Sequence, residues 1–271
     1  MRRILLTVAY DGTEYHGWQL QDNGPTIEGE LNRAIEELTG TVIEVIGASR
    51  TDAGVHGKGN RAVFDTESTI PAERFTAAIN AFLPRDIRVI NSREVDIDWH
   101  PRKVKTIKTY EYRIDRGIIP DPLRVRYTWN VWGELDIDAM RKAAGHLVGE
   151  HDFTSFCAAA SPIEDKTREI VSIDIEESSD MSGQYVSGGI GISDRVQSDE
   201  LSAGELIIRV KGYGFLYNMV RIIAGTLIDV GQGKTSPDDV ESILVACDRT
   251  KAGQTAPAKG LTLVKIEDVI S

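Results

Sequence analysis

The sequence has few cysteines and no long apolar run. Only two of its 271 residues are cysteines, Cys157 and Cys247, and they belong to no CxxC pair. This usage is typical of reduced, mostly buried thiols in a cytosolic protein and not of a disulfide scaffold. The apolar runs are too short to cross a bilayer, and the first of them meets Asp11 and Glu14 too early for a signal peptide. We therefore expect a cytoplasmic protein without a membrane segment.

Motifs that hold metals or nucleotides are also missing. The five histidines form no HExxH motif and no Cys/His spacing of a zinc site. There is no GxxxxGKS/T loop, no glycine-rich loop that opens a helix and no GxSxG nucleophile turn. We therefore expect a protein that works without a metal ion or a cofactor.

Negative charge predominates, but it is unevenly distributed. The formal net charge is −11, which argues against a nucleic-acid partner, because proteins that bind polyanions are usually basic. Residues 101–130, however, hold eight Lys and Arg and three acidic residues, whereas residues 174–205 hold eight acidic residues and one Arg. The cations of the first segment are Arg102, Lys103, Lys105, Lys108, Arg113, Arg116, Arg124 and Arg126. A basic strip facing a nucleic acid is compatible with this distribution, although a charge run is more often a solvated face.

The apolar periodicity predicts the element order β-α-β-β-α-β twice. In the first half, strands are predicted at 2–10, 42–47, 60–66 and 86–95, and helices begin at the cap Thr26 and at Pro71. In the second half, strands are predicted at 107–115, 168–177, 205–211 and 261–267, and helices at 136–148, 215–230 and after Pro237. This order is that of the split βαβ, or ferredoxin-like, unit.

The predicted fold class is therefore α+β. Two ferredoxin-like halves, 1–105 and 106–271, are expected to join in one mostly antiparallel, eight-stranded sheet flanked by helices, with the active-site cleft between the halves. Residues 178–204, rich in Ser, Gly and Asp, are predicted to be an acidic, flexible insertion on the surface.

One polar connection, residues 47–57, lies between two of the predicted strands. It contains Arg50, Thr51, Asp52 and His56 among several glycines, and it is about twice as long as a hairpin turn needs. Asp-Ala-Gly is ordinary turn chemistry, because Asp bonds to nearby backbone and Gly accepts a positive φ. Catalytic residues also concentrate on loops between rigid strands. From this stretch alone, a turn and a catalytic site are equally good interpretations.

Two further clusters lie on predicted elements. Tyr110 and Tyr112 share one face of the strand at 107–115, where a pair of core or cross-strand tyrosines is the better interpretation in isolation. Arg221 lies within the apolar helix at 215–230, and Arg is almost never buried without a partner. A buried Arg221 therefore needs a carboxylate, and Asp52 is a candidate.

Taken in order, these clusters resemble the motifs of the tRNA pseudouridine synthase A family. The segments are Tyr10-Asp11-Gly12-Thr13 with Gly17-Trp18-Gln19-x-Gln21, Arg50-Thr51-Asp52-Ala53-Gly54-Val55-His56, Lys108-Thr109-Tyr110, Gly214-Phe215-Leu216-Tyr217-Asn218-Met219-Val220-Arg221-Ile222-Ile223-Ala224-Gly225, and Ala256-Pro257-Ala258-Lys259-Gly260-Leu261-Thr262-Leu263. Each segment is modest alone, but together they follow the family's order over nearly the whole chain. Ser49 and Gly57 stand where the family commonly has Gly and Ala, and neither change removes a functional group.

The resemblance implies a homodimer that isomerises uridine to pseudouridine at positions 38 to 40 of tRNA, in the anticodon arm, without metal or cofactor. It places the nucleophilic aspartate at Asp52, the active-site tyrosine at Tyr110 and the basic partner of the aspartate at Arg221. The residues expected to bind the substrate are Arg50, Thr51, His56 and Tyr110.

The chemistry of that reaction fits these residue types. Replacing a C–N by a C–C glycosidic bond needs no redox group, but it needs an ionised carboxylate near the ribose C1′ and a base that takes the C5 proton. An adjacent guanidinium keeps a carboxyl group ionised, and Tyr110 is suited to stacking on a flipped uridine and to relaying a proton. The sequence leaves open whether Asp52 attacks C1′, adds to the base or removes the 2′ proton.

Two other interpretations stay open. The first is a non-catalytic RNA-binding module, because split βαβ folds also serve as RNA platforms; it predicts exposed aromatic side chains on the sheet and needs no aspartate in the loop. The second is a pseudouridine synthase that acts on another RNA.

Overall fold

The computed structural model describes residues 1–178 and 204–269, and the chain forms two compact units. Unit 1 comprises Met1–Thr109 and Thr262–Ser271, and unit 2 comprises Tyr110–Leu261. The described residues form ten β-strands and five α-helices, and most strand pairs are antiparallel. The predicted α+β class is confirmed. The finer prediction of two ferredoxin-like halves, 1–105 and 106–271, stays a prediction.

Unit 1 has the element order β1-α1-β2-β3-α2-β4 and receives the end of the chain as strand β10. The bounds are β1 Arg2–Tyr10, α1 Ile27–Thr39, β2 Ile46–Gly47, β3 His56–Thr66, α2 Phe75–Asn80, β4 Ile87–Val95 and β10 Leu261–Asp268. β1 lies between β4 and β3 and is antiparallel to both, and β2 pairs with β3. β10 runs parallel to β3, with Thr262 and Leu263 opposite His56 and Gly57.

The helix α1 forms for the reasons that the sequence predicts. Thr26 is extended and its side chain accepts a hydrogen bond from the amide of Gly29, so it caps the first turn. Gly40 ends the helix in the left-handed region, at φ 68°. The side chains that α1 buries in the core of unit 1 are Ile27, Leu31, Ala34 and Ile35. Cap, apolar stripe and terminal glycine are thus confirmed.

Unit 2 holds the remaining strands in the order β5-β9-β8-β7, with β6 parallel to β5. The bounds are β5 Thr106–Asp115, β6 Trp129–Asn130, α3 Ile137–Gly145, β7 Gly149–Asp152, β8 Thr167–Ser178, β9 Glu205–Gly212, α4 Met219–Gly231 and α5 Asp239–Val245. β5 begins in unit 1 and continues into unit 2. Asp136 caps α3 as predicted, because its side chain accepts a hydrogen bond from the amide of Ala139.

Two predicted strand boundaries around the polar connection are wrong. The strand predicted at 42–47 is paired only as β2, because the amide of Val45 donates to the side chain of Asn32 and not to a neighbouring strand. The strand predicted to begin at residue 60 begins at His56, because this end of β3 pairs with β10 from far along the chain.

Two predictions for the second half are wrong, and a third concerns residues that lie mostly outside the described part of the chain. The helix predicted at 215–230 begins only at Met219, because Asn218 adopts a left-handed φ of 61° that a helix does not continue. The predicted number of strands, eight, is too low, because the short strands β6 and β7 have no clear alternation in the sequence. The insertion predicted at 178–204 lies outside the described residues, except for its two end residues. In the described part of the chain no helix is long and apolar enough to cross a membrane.

Candidate active site

The turn around Asp52 lies at the end of the loop that joins β2 to β3, residues 48–55. The carbonyl of Asp52 accepts a hydrogen bond from the amide of Val55 (3.1 Å), and Gly54 between them has a φ of 77°. This is the turn chemistry that the sequence predicts, since Gly takes the positive φ. The side chain of Asp52 is half-buried. The same turn therefore presents the candidate nucleophile, so the two interpretations of the loop do not exclude one another.

A buried hydrogen-bond network lies beneath this loop. The hydroxyl groups of Tyr10 and Thr51 are 2.8 Å apart, and the residue before Asp52 is thereby fixed to β1. Asn60 is fully buried on β3, and its Nδ2 donates to the carbonyl of Ser49 (2.9 Å) and, at 3.4 Å, to the Tyr10 hydroxyl. The network therefore holds the residues on both sides of Arg50. The sequence analysis did not single out Asn60, because its partner Ser49 is eleven residues away along the chain.

Replacing Asn60 is expected to lower both stability and turnover. Asn60→Ala removes a buried hydrogen bond to the carbonyl of Ser49, which costs about 1–3 kcal/mol of unfolding free energy. The loop is then free to shift, so we expect kcat to fall more than KM changes. Asn80 is the matched control, because its amide binds both backbone groups of Val89 on β4 (2.8 and 2.9 Å). Asn80→Ala should lose similar stability and keep kcat; equal kcat in the two variants would contradict a positioning role for Asn60.

The segment after β1 also packs against the loop through its backbone. The amide of Trp18 donates to the carbonyl of Thr51 (3.0 Å), and the amide of Gly54 donates to the carbonyl of Tyr15 (3.2 Å). Gly17 has a φ of 94°, and a Cβ there would lie 2.7 Å from the Thr51 carbonyl oxygen, so no other residue fits without strain. Glu28, which the sequence analysis missed, receives hydrogen bonds from the Trp18 indole and the Leu20 amide in the first turn of α1.

His56 is turned toward the loop that follows β1. Its Nδ1 accepts a hydrogen bond from the amide of Gly12 (3.1 Å) and lies 3.2 Å from a carboxylate oxygen of Asp11. The ring is buried, with 4% of its surface exposed. Gly12 is in close contact as well, because a Cβ there would lie 2.1 Å from the carbonyl oxygen of Val55. His56 therefore connects the beginning of β3 to the segment that follows β1. Its predicted contact with substrate stays a prediction.

Arg50 differs from its neighbours because it is exposed. Thr51 is buried and bound to Tyr10, whereas the Arg50 side chain makes no hydrogen bond or ion pair with any residue in 1–178 or 204–269. Of Arg50, Thr51 and His56, Arg50 is the exposed residue, and the predicted contacts of all three with substrate stay predictions.

Two cations donate to consecutive carbonyl groups at the entry of the loop. Arg102 Nε donates to the carbonyl of Gly47 (3.0 Å), and Lys108 Nζ donates to the carbonyl of Ala48 (3.3 Å). Burial, together with the charge of Arg102, lowers the pKa of Lys108 to about 8. Neither cation has an ion-pair partner in the described part of the chain.

Because the pKa of Lys108 is lowered in the folded chain, we expect its contribution to the free energy of unfolding to depend on pH. Below pH 8 the ammonium group is charged in the folded and unfolded chains, so the folded protein bears the full cost of burying it. Between pH 8 and the ordinary value of 10.5, the unfolded chain binds more protons, so the contribution of Lys108 to stability improves as pH rises. Lys108→Met should therefore raise Tm by a few degrees at pH 7, and calorimetry should show the gain fading by pH 10. Lys58→Met, which removes an exposed ammonium group, is the control; a Lys108→Met protein with a lower Tm at pH 7 would refute the prediction.

In unit 2 the two tyrosines of β5 are both buried. The Tyr110 ring packs edge-to-face on Phe215, with the ring centroids 5.1 Å apart, and 6% of its surface is exposed. Tyr112 donates its hydroxyl proton to the carbonyl of Pro257 (2.8 Å), and burial raises its pKa. Tyr112 is therefore a structural tyrosine, while the predicted catalytic role of Tyr110 stays a prediction.

Arg221 lies within α4, as predicted, and in its first turn, because the helix begins at Met219. The positive end of the helix dipole disfavours a cation there, so the guanidinium needs acceptors. Its Nε donates to the carbonyl of Ala256 (2.8 Å), and its Nη1 donates to the side chain of Asn218 (2.7 Å). The side chain is half-buried. Its pairing with Asp52 stays a prediction.

Several cations of the basic strip 101–130 are neutralised within the protein. Arg113 binds Glu111 (3.0 Å) and Glu205 (2.9 Å), and Arg124 also binds Glu205 (2.5 Å). Arg116 binds Glu177 at 2.7 Å. Arg102 and Lys108, which lie in the part of the strip that belongs to unit 1, have no carboxylate partner among the described residues. Their positive charge is therefore less neutralised than that of Arg113, Arg116 and Arg124 in unit 2.

The side chains of the candidate site belong to types that take part in acid–base and nucleophilic chemistry. Unit 1 presents a carboxylate on a rigid turn beside an available guanidinium, and unit 2 presents a buried tyrosine and a guanidinium fixed at a helix terminus. Among the residues that the structure describes, no group of three or more His, Cys, Asp or Glu side chains is arranged to hold a metal ion.

Comparison with known proteins identifies the family. The family described as tRNA pseudouridine synthase matches residues 6–102 and 143–267, which includes the loop of Asp52 and the helix of Arg221. The sequence is 43% identical to tRNA pseudouridine synthase A of Brevibacillus brevis over 266 residues, which cover 98% of this chain and 99% of the relative. It is 41% identical to the protein of the same name from Acetivibrio thermocellus, with the same coverage. With the motifs in order along nearly the whole chain, the protein belongs to the tRNA pseudouridine synthase family.

Proposed function

We propose that this protein isomerises uridine to pseudouridine in tRNA, with Asp52 as the nucleophile. The observation that carries the proposal is the position of Asp52 in a chain of this family. The neighbouring loop residues Ser49 and Thr51 are held by hydrogen bonds with Asn60, with the Tyr10 hydroxyl and with the Trp18 amide. A carboxylate that must reach one atom of the flipped nucleotide needs such a fixed loop. The reaction is an isomerisation, so it uses no oxidant or reductant and its atoms balance within the nucleotide.

In the proposed reaction, the carboxylate of Asp52 acts on the flipped uridine and the bond between C1′ and N1 breaks. The uracil turns, a bond forms between C1′ and C5, and the C5 proton leaves while N1 gains a proton. Tyr110 stacks on the base and relays the C5 proton, and Arg221 keeps Asp52 ionised. Arg50 contacts the RNA beside the flipped nucleotide. Thr51 and His56, which the resemblance implies as substrate-binding residues, also hold the loop through their own hydrogen bonds. Trapping of the intermediate distinguishes attack of Asp52 on C1′, addition to the base and removal of the 2′ proton.

The finer parts of the proposal come from the resemblance. We propose that the target uridines are at positions 38, 39 and 40 of the anticodon arm and that the enzyme acts in the cytoplasm as a homodimer. We also propose that the two halves are ferredoxin-like. The strand order β4-β1-β3, with β2 beside β3, supports this for the first half.

A non-catalytic RNA platform is less well supported. Such a module stacks bases on exposed aromatic side chains of its sheet. Tyr112 on β5 is fully buried and its hydroxyl is bound to the backbone carbonyl of Pro257, so its ring offers no platform to a base. The platform also gives no reason for an aspartate on the loop after β2.

Tritium release tests the proposed isomerisation. Uridine labelled at C5 loses its label to water when C5 becomes bonded to C1′. We expect the purified protein to release tritium from a labelled, unmodified tRNA transcript without added metal or cofactor, and in the presence of a chelator. Stoichiometric binding of the tRNA without any release would favour the non-catalytic module and contradict the proposal.

A further inference from the structure

Arg102 and Lys108 form a cationic pair at the entry of the Asp52 loop. Each donates one hydrogen bond to the loop, to the carbonyls of Gly47 and Ala48, and these neutral groups do not balance the two charges. The η nitrogens of Arg102 have no acceptor among the described residues, and its side chain is exposed. Support of the loop by Arg102 does not by itself explain why a second cation, the half-buried Lys108, binds the next carbonyl.

Other groups respond to the positive charge of this region. The charge of Arg102 contributes, after burial, to the lowered pKa of Lys108. Burial, then Lys103 and Arg102, lower the pKa of His100, whose Nδ1 accepts a hydrogen bond from the amide of Arg102 (3.2 Å). The region thus bears an electrostatic cost in the free protein. An anion bound between the two cations would remove that cost.

We propose that Arg102 and Lys108 together bind one phosphodiester group of the RNA at the entry of the Asp52 loop. This inference rests on the proposed function, which supplies the polyanion. Guanidinium and ammonium groups are the usual protein ligands of phosphate, and contacts to the backbone fix the register of a nucleic acid. The two cations also hold the carbonyls of Gly47 and Ala48, so the phosphate sits on the residues that lead to Arg50 and Asp52. Binding the RNA backbone and ordering the catalytic loop are therefore coupled.

Salt dependence of binding to an unmodified tRNA transcript tests the site. Arg102→Met and Lys108→Met should each weaken binding several-fold and each reduce the slope of log K against log salt by about one. Arg88→Met is the matched control, because Arg88 also donates only to backbone carbonyls, those of Pro84 and Ile87, but lies on β4. It should keep the wild-type slope. An equal reduction of the slope in all three variants would show a net-charge effect and overturn the site.

If a methionine variant folds poorly, tRNA binding by Lys108→Arg, measured over a range of pH, tests the site instead. A bound phosphate favours the charged ammonium, so wild-type binding takes up a proton near pH 8 and should weaken several-fold from pH 7 to 8.5. Arg102 stays charged throughout this range, as does the arginine of the variant. Lys108→Arg should therefore keep the salt slope and lose most of the pH dependence. A Lys108→Arg protein with the wild-type pH dependence overturns the site.

These outcomes separate this site from the proposed function. If the wild-type protein forms pseudouridine while Arg102→Met and Lys108→Met, both folded, keep the wild-type salt slope, the phosphate site is wrong and the function stands. If the wild-type protein releases no tritium from the labelled tRNA, the proposed function fails first.

Discussion

Asp52→Asn is expected to abolish pseudouridine formation and to leave tRNA binding nearly unchanged. The amide has the shape of the carboxylate, and the turn uses the backbone carbonyl of Asp52, so the loop should keep its conformation. The amide lacks the negative charge and the nucleophilic oxygen that the reaction needs. Loss of a nucleophile commonly costs on the order of 10⁴-fold or more in kcat. Single-turnover assays with excess enzyme measure this loss independently of binding.

Two further variants complete that experiment. Asp52→Ala guards against slow deamidation of the asparagine variant, and it should be equally inactive. Asp22→Asn is the control, because Asp22 is an exposed aspartate in the same unit and should keep full activity. Clear turnover by Asp52→Ala with a native melting curve would mean that another group does the chemistry.

Arg221→Ala is expected to produce the second largest loss. It removes the donors to Ala256 and Asn218, which costs about 1–3 kcal/mol of stability, and it removes the charge that we propose keeps Asp52 ionised. Arg221→Lys should keep more of the fold than of the rate, because a point-like ammonium cannot reproduce a planar guanidinium. Arg249 is a matched control, since it also binds a carbonyl, of Ala252, and a neutral side chain, of Thr255. Arg249→Ala should lose stability without a comparable loss of kcat.

The proposed pairing of Arg221 with Asp52 has its own test. Unfolding free energies of the wild type, Asp52→Asn, Arg221→Ala and the double variant form a thermodynamic cycle. Groups in contact couple by about 0.5–3 kcal/mol, so the double variant should be more stable than the sum of the single losses implies. Strictly additive losses would show that the two side chains do not interact.

Local patterns in the sequence predicted most of the elements. Thr26, the apolar stripe and Gly40 define α1, and each acts within one or two turns. The start of α4 was placed too early because Phe215 and Leu216 continue the apolar pattern, whereas the left-handed φ of Asn218 depends on its surroundings. The limits of β2 and β3 were wrong for a related reason. β3 is extended by pairing with β10, which follows about two hundred residues later in the chain.

The sequence indicated the reactive side chains of the candidate site but not the long-range hydrogen bonds that position them. Asp52 and Arg50 stand out in the sequence as a carboxylate and a guanidinium in a glycine-bordered loop, and the family resemblance supplies the roles proposed for them. The contributions of Asn60 and Glu28 could not be found from the sequence, because they follow from hydrogen bonds to Ser49 and to Trp18 that no periodicity reveals. Lys108 was visible within a motif, but its lowered pKa results from burial and from the charge of Arg102 in the folded chain.

The most direct test of the account is to map pseudouridines in unmodified tRNA transcripts after incubation with the wild-type protein and with Asp52→Ala. Transcripts in which the uridines at positions 38, 39 and 40 are replaced by cytidine serve as negative substrates. The account predicts pseudouridine at those positions with the wild-type protein, none there in the substituted transcripts, and none with Asp52→Ala. Pseudouridine elsewhere in the tRNA, or its formation by Asp52→Ala, would contradict it.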